Sequence, residues 1–173
     1  PKLSGPRRKL FFDLADPEKR TRDDILTALS LITEFEKYFD VILGLNEKEA
    51  VEIGSHLLGV NKSEHSPEGL LKLATQIRDR ISVNTVVVHP VSFALAVSAG
   101  DSAIVEGPFT PKPLITTGAG DHFNAGFCFG KLLGFDNAKS LLTGVSTSGF
   151  YVRTAKSPSV ADLAGLMNQW PVR

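Results

Sequence analysis

The sequence predicts an α/β fold of three layers, a mostly parallel β-sheet flanked by helices, in one domain spanning residues 1–173. Three observations carry this. Short apolar runs and helical stripes alternate over 10–15, 22–39, 41–45 and 47–58, which is the pattern of βαβ units. Residues 84–88 give a strong β signal of their own. A glycine-rich turn at 116–120 then opens an apolar helix. With 42% apolar and 22% charged residues, the 173-residue chain can bury a real core.

Taken in order, residues 1–6 give no regular pattern, and 9–14 read as a strand with Asp13 and Asp16 near its C-terminal end. Ligands of open α/β sheets gather at that end of strands, although Asp16-Pro17 has the chemistry of a turn. Residues 21–39 carry a helical stripe of Ile25, Leu29, Ile32, Phe35 and Phe39. Tyr38 widens the stripe, and Glu34, Glu36 and Lys37 face water. Residues 41–45 form a short buried strand. Asn46 and Glu49 have the spacing of a capping box opening a helix that Gly59 stops. After a polar loop over 61–67, Pro67 stands at the first position of a helix that buries Leu70, Leu71, Leu73, Ala74 and Ile77. Residues 93–98 and 102–106 pair as a hairpin around Gly100-Asp101. Pro108, Pro111 and Pro113 forbid a central strand in the connector that follows. Residues 136–153 form a helix with Ala138, Leu141, Leu142, Val145 and Val152 inward. Residues 158–170 form a last one on Val160, Leu163, Leu166 and Met167.

The chemistry concentrates at Thr116-Thr117-Gly118-Ala119-Gly120-Asp121. Gly118 and Gly120 lack a Cβ, so the turn can adopt positive φ and let a ligand approach the main chain. Unpaired N–H groups collect where the helix starts, and such a place favours an anion. Asp121 there is placed to accept a proton from a bound hydroxyl. The apolar stripe of this helix is Phe123, Phe127, Leu132 and Leu133. No Lys follows Gly120, so this is not a phosphate-binding Walker loop. The third glycine is misplaced for a dinucleotide fingerprint. From these residues alone, an anion site and a plain αβ turn with an acidic cap remain equal readings.

The bulk properties exclude other classes. Nineteen basic and nineteen acidic residues balance to a formal charge of zero, which leaves no nucleic-acid footprint. Arg7, Arg8 and Lys9 read as a solvated strand edge. Cys128 is the sole cysteine. It cannot form an internal disulfide, and it reads as a buried thiol in a reducing, cytoplasmic setting. No stretch reaches transmembrane length, and no secretory signal pattern is present. His56 and His65 lack the partners of a zinc site.

Residues 116–127 resemble the C-terminal signature of the ribokinase-like (PfkB-type) carbohydrate kinases, without a gap. The resemblance implies ATP-dependent phosphoryl transfer to a hydroxyl of a sugar or related substrate. By it Asp121 is the catalytic base, and Gly118, Ala119 and Gly120 are the anion hole. Thr117 belongs with the nucleotide-binding residues. Asn46 and Glu49 match the family's Asn-x-x-Glu, whose Glu organises Mg²⁺ through its waters and whose Asn joins the same polar network. Such a role and a capping box are compatible. Three departures accompany the match: Ile115 replaces a carboxylate that in several members helps bind a monovalent cation, His122 replaces a common Ala, and His89-Pro90 replaces a glycine turn beside the nucleotide. The resemblance covers the C-terminal part of the family's fold, without the N-terminal βα units and substrate lid. It therefore implies a homo-oligomer or a complementary N-terminal chain. It also leaves an alternative, a degenerate non-catalytic domain for assembly or regulation, or one half of a two-chain enzyme.

Overall fold

The structure is a computed structural model that describes residues 7–14, 19–59 and 65–170. The readings on residues 1–6, on Asp16-Pro17 and on 61–64 lie outside the described residues. In chain order the elements are β1 (Lys9–Asp13), α1 (Arg22–Phe35), β2 (Asp40–Leu45), α2 (Glu47–Leu58), α3 (Pro67–Ile81), β3 (Thr85–Val88), β4 (Phe93–Ser98), β5 (Asp101–Glu106), α4 (Ala119–Leu132), α5 (Asn137–Thr154) and α6 (Val160–Asn168). The five strands form one sheet in the order β1-β2-β3-β4-β5. β1 and β2 run parallel, with Lys9 opposite Asp40 and Asp13 opposite Gly44. This is the mixed, mostly parallel, helix-flanked sheet that the alternating pattern predicts. By contact the chain divides into two compact units, residues 1–87 with 97–99, and residues 88–96 with 100–173.

In the first unit, Thr21 caps α1 in a reciprocal box with Asp24. Ile25, Leu29 and Ile32 are buried as the stripe requires. The helix ends at Phe35 rather than at 39, because Glu36 leaves the helical register and turns back. Its carboxylate, expected in water, accepts from Val41 N at 3.0 Å and Asn84 N at 2.9 Å, and so ties the entries of β2 and β3. Phe35 stays partly exposed against the rings of Phe12 and Phe39, and Tyr38 is exposed rather than part of the stripe. Arg7 and Lys9 pair with Asp40 at 3.2 and 3.5 Å, so this basic stretch is a sheet edge. Val41 through Leu45 are buried. Gly59 ends α2 in the left-handed region, and Pro67 opens α3 behind a Ser66 cap. Leu70, Leu73, Ala74 and Ile77 fill the buried face of α3.

β4 and β5 are joined by Ala99 and Gly100 alone, a connection only an antiparallel pair permits. The turn therefore falls one residue earlier than expected, and Asp101 already belongs to β5. Its carboxylate accepts from Asn137 N at 2.9 Å and anchors the start of α5. No strand lies between β5 and α4. α4 and α5 pack along each other through small residues rather than an aliphatic stripe. A Cβ on Gly126 would lie 2.6 Å from Thr143 O, and one on Gly130 2.7 Å from Ser140 Cα. This close approach decides which side chains are inside. Phe123, Phe127, Leu141 and Val145 are buried as expected, but so are Asn137 and Ser140, while Ala138 faces out. Leu132 and Leu133, expected in the α4 stripe, are 78% and 53% exposed. α6 begins at Val160 because Ser159 caps it, and it buries Leu163 while Val160 is exposed.

Candidate active site

Among the described residues, five of the six helices start alike. Thr21, Asn46, Ser66, Asp136 and Ser159 each accept a hydrogen bond from the main chain of their own first turn. α4 has no side-chain cap. Its N-cap is Gly118 at φ 85°, a left-handed conformation that favours glycine. Gly120 does not share that conformation, so only one of the two glycines supplies positive φ. Ala119 N–H closes the turn onto Thr116 O at 3.1 Å. Gly120 N–H and Asp121 N–H have no backbone acceptor. Asp121 lies exposed in the first turn, where the helix field favours a negative charge.

Two histidines flank this helix start. His122 accepts no role in the core. Its Nδ1 contacts Gly118 O at 2.8 Å, its Nε2 contacts Ser157 Oγ at 3.0 Å, and its ring stacks on Tyr151 at 3.6 Å and 12°. Tyr151 OH donates to Thr117 O at 3.0 Å. His89 lies beside Gly120, half-buried against Phe123 with centroids 4.8 Å apart. Its Cε1 would stand 3.3 Å from a Cβ on Gly120. Burial pushes its pKa down to about 4, against opposing pulls from its own backbone hydrogen bond and from the Asp121 charge. His89 is therefore neutral near pH 7, in keeping with a packing role. A cleft of about 340 Å³ opens beside the helix start, where Asp121 and His122 meet an apolar wall of Phe129, Pro158, Val160 and Leu163.

Asn46 and Glu49 belong to the first unit. They form the capping box that their spacing predicts, with Asn46 Oδ1 accepting from Glu49 N at 2.9 Å and Glu49 Oε2 from Asn46 N at 2.7 Å. Glu49 is buried, and its carboxylate is held at the start of α2. Cys128 is half-buried, and burial raises its thiol pKa. Among the described residues no helix is long and apolar enough to cross a membrane. Tyr151 and Ser157 escaped the sequence reading altogether. They sit 30 or more residues from the turn they reach, and neither lies in a motif.

The family model for prokaryotic ketohexokinase matches residues 1–170. The chain belongs to this family. It is 29% identical over 163 residues to a ketohexokinase of Haloferax volcanii, an alignment that covers 94% of this chain and 42% of the relative. A putative ribokinase II from E. coli, solved with ATP and Mg²⁺, superposes with a TM-score of 0.61 at 20% identity, over 86% of this chain and 45% of that one. The E. coli phosphofructokinase-2, solved with substrates and products, superposes at 0.64 and 20% identity, over 84% and 52%. These likenesses show the ribokinase-like carbohydrate kinase fold. The chain spans about half the length of the proteins it matches or less.

Proposed function

We propose that this chain carries the phosphoryl-transfer part of a kinase that moves the γ-phosphoryl group of ATP to a hydroxyl of a sugar or related substrate. One observation carries the reading: α4 starts without a side-chain cap, directly beside an exposed carboxylate. The unoccupied N–H groups fit an anionic phosphoryl group, and the left-handed Gly118 leaves no side chain in its way. In the proposed anion hole of Gly118, Ala119 and Gly120, Gly120 N–H is the donor left for the charge that develops on the transferred group, while Ala119 N–H is held by Thr116 O. Asp121 accepts the proton of the attacking hydroxyl. By family resemblance Glu49 would orient the waters of Mg²⁺, with Asn46 in the same network, and Thr117 would belong with the nucleotide-binding residues. Mg²⁺-ATP, when bound, supplies the electrophilic phosphorus and a partly neutralised triphosphate. Family membership supports this assignment, as does the ATP and Mg²⁺ bound to the similar E. coli protein.

The complementary part of the fold, which the relatives carry in addition to what this chain spans, supplies most contacts that choose the acceptor. In this reading it covers the exposed apolar face made by Phe129, Leu132 and Val160, beside the cleft that holds Asp121. A homo-oligomer is the other outcome of the same test. Residues 1–173 act as one domain, in the cytoplasm, where a lone cysteine stays reduced.

A second reading rests on the short span and on the His89 ring packed over Gly120. In it the chain is a non-catalytic module or one half of a two-chain enzyme. Calorimetric titration with Mg²⁺-ATP, followed by a coupled ADP-release screen against sugars, separates the two. The kinase reading expects binding, and turnover that Asp121→Asn lowers about 10²–10⁴-fold with little change in nucleotide affinity, since Asn still suits a helix start. Equal turnover by wild type and Asp121→Asn sinks the base assignment. Absence of both binding and turnover, with a complementary N-terminal portion supplied, favours the non-catalytic module.

A further inference from the structure

We propose that His122 and Tyr151 are positioning residues, a clasp that locks the glycine turn in its working conformation without a monovalent cation. This rests on the reading of the turn as a phosphoryl site. The two rings stack at 3.6 Å and 12°, and each sends its polar end to one of two consecutive carbonyls. Tyr151 OH donates to Thr117 O at 3.0 Å. A carbonyl can only accept, so the proton of His122 facing Gly118 O at 2.8 Å is on Nδ1. Nε2 meets Ser157 Oγ at 3.0 Å, which ties the helix start to the segment between α5 and α6.

The consequence follows from peptide geometry. In a trans peptide the C=O and the next N–H point in opposite directions, and no peptide among the described residues is cis. Tyr151, by holding Thr117 O, therefore turns Gly118 N–H away from itself. His122, by holding Gly118 O, turns Ala119 N–H the other way, where it meets Thr116 O at 3.1 Å. Gly118 is the most freely rotating residue type, and no side chain caps the helix it begins. The clasp supplies the restraint that sequence-local chemistry leaves out. A Cβ on Gly118 would also stand 3.3 Å from Tyr151 OH, so glycine leaves room for the clasp as well as for the turn.

The same bonds leave no place for a cation on Gly118 O, and Tyr151 already occupies one lone pair of Thr117 O. Gly118 O already accepts twice, from His122 N at 3.1 Å and from His122 Nδ1, which uses both lone pairs of a carbonyl oxygen. Ile115 offers no side-chain oxygen. A hydrogen-bonded aromatic pair thus does the work of a bound ion.

The test needs a readout that does not depend on turnover. Amide hydrogen exchange of Ala119 is measured in wild type, in Tyr151→Phe, which keeps the stack and loses one bond, and in His122→Ala, which loses both ring contacts. Protection of Ala119 is expected to fall about 3- to 10-fold in Tyr151→Phe and further in His122→Ala, while exchange of the β2 amides stays unchanged. Calorimetric titration of the same proteins with Mg²⁺-ATP, in potassium and in choline chloride, is expected to show weaker binding in the same order and no potassium dependence in wild type. Ile115→Asp combined with His122→Ala restores a carboxylate and frees a lone pair on Gly118 O. Potassium dependence is expected to appear there, an effect a merely structural role would not produce. Unchanged Ala119 exchange in both variants overturns the clasp, and so does wild-type binding that strengthens severalfold in potassium. If Ala119 protection falls as expected but wild type binds no Mg²⁺-ATP, the clasp stands and the phosphoryl-site reading fails.

Discussion

The packing of His89 beside Gly120 and Phe123 makes a specific demand on how stability depends on pH. Burial lowers its pKa to about 4, against about 6.5 for an ordinary histidine. The unfolded chain therefore takes up this proton first as pH falls. The stabilisation is fully present above about pH 6.5 and is lost on the way down through about pH 4. At about 1.4 kcal/mol per unit, the difference amounts to roughly 3 kcal/mol. Asp121 is the charged neighbour that opposes the shift. The carboxyls of Asp24, Asp136 and Asp162 are held low by their hydrogen bonds to Thr21, Lys139 and Ser159 respectively. A lowered carboxyl pKa removes stability only as pH falls below its ordinary value of about 4, so these groups act beneath the His89 window. Urea unfolding followed by the fluorescence of the single tryptophan, Trp170, or by circular dichroism, gives ΔG at each pH from about 7.5 to about 4.5. His89→Gln removes the titrating group. Its curve is expected to be flatter than that of wild type by about 2–3 kcal/mol across the window, whatever its absolute stability. Parallel curves for the two proteins refute the reasoning, because the imidazole would then be solvated in the fold.

Three further outcomes follow from the packing. Gly126→Ala adds a methyl 2.6 Å from the Thr143 carbonyl; it is expected to cost about 1–3 kcal/mol in urea unfolding, despite the gain of up to about 1 kcal/mol that alanine brings to a helix. Glu36→Ala leaves Val41 N and Asn84 N without their acceptor and is expected to cost about 2–4 kcal/mol, with Glu36→Gln milder. Leu132→Glu on the exposed face is expected to abolish association with the complementary portion, or self-association if that is what sedimentation finds, and to leave monomer stability within about 0.5 kcal/mol; unchanged association removes this face from the interface.

What the sequence made legible, and what it hid, divides along one physical line. Interactions local in sequence were readable. Asn46 and Glu49 form the box their spacing predicts, Pro67 opens α3, Gly59 ends α2, and Ile25, Leu29 and Ile32 point inward. Interactions between elements were not. Glu36 carries a charge in a helical pattern and so reads as a surface residue, yet its acceptor bonds to β2 and β3 end α1 early. Leu132, Leu133 and Val160 satisfy a helical stripe, but α4 and α5 approach each other closely at small residues such as Gly126, Gly130 and Ser140. Periodicity marks a face as apolar. It does not say whether the neighbour that buries it is an aliphatic side chain or a bare backbone. The same holds at the site. The motif 116–121 stood out because its residues are contiguous. Tyr151 and Ser157 acquire their meaning only when α5 and the segment after it fold beside the turn.

The helix starts of this chain differ in one respect. Every α-helix begins with N–H groups that its own backbone cannot satisfy, and the chain has the residues to satisfy them. Thr, Asn, Ser, Asp and Ser stand at the caps of α1, α2, α3, α5 and α6. A capping side chain at position 118, on the extended backbone of the other caps, is worth about a few tenths of a kcal/mol over glycine, so local capping alone favours one there. Glycine at φ 85° forgoes that gain and keeps the first turn of α4 open. The compensation comes from a distance, through the Tyr151 and His122 bonds to Thr117 O and Gly118 O, which restrain the turn without covering its N–H groups. A helix that merely needed to start would have been capped from within. A turn restrained through its carbonyls, with Gly120 N–H and Asp121 N–H left without a backbone acceptor, has the polarity of a receptor for a negatively charged group. This is the polarity that the proposed phosphoryl transfer requires.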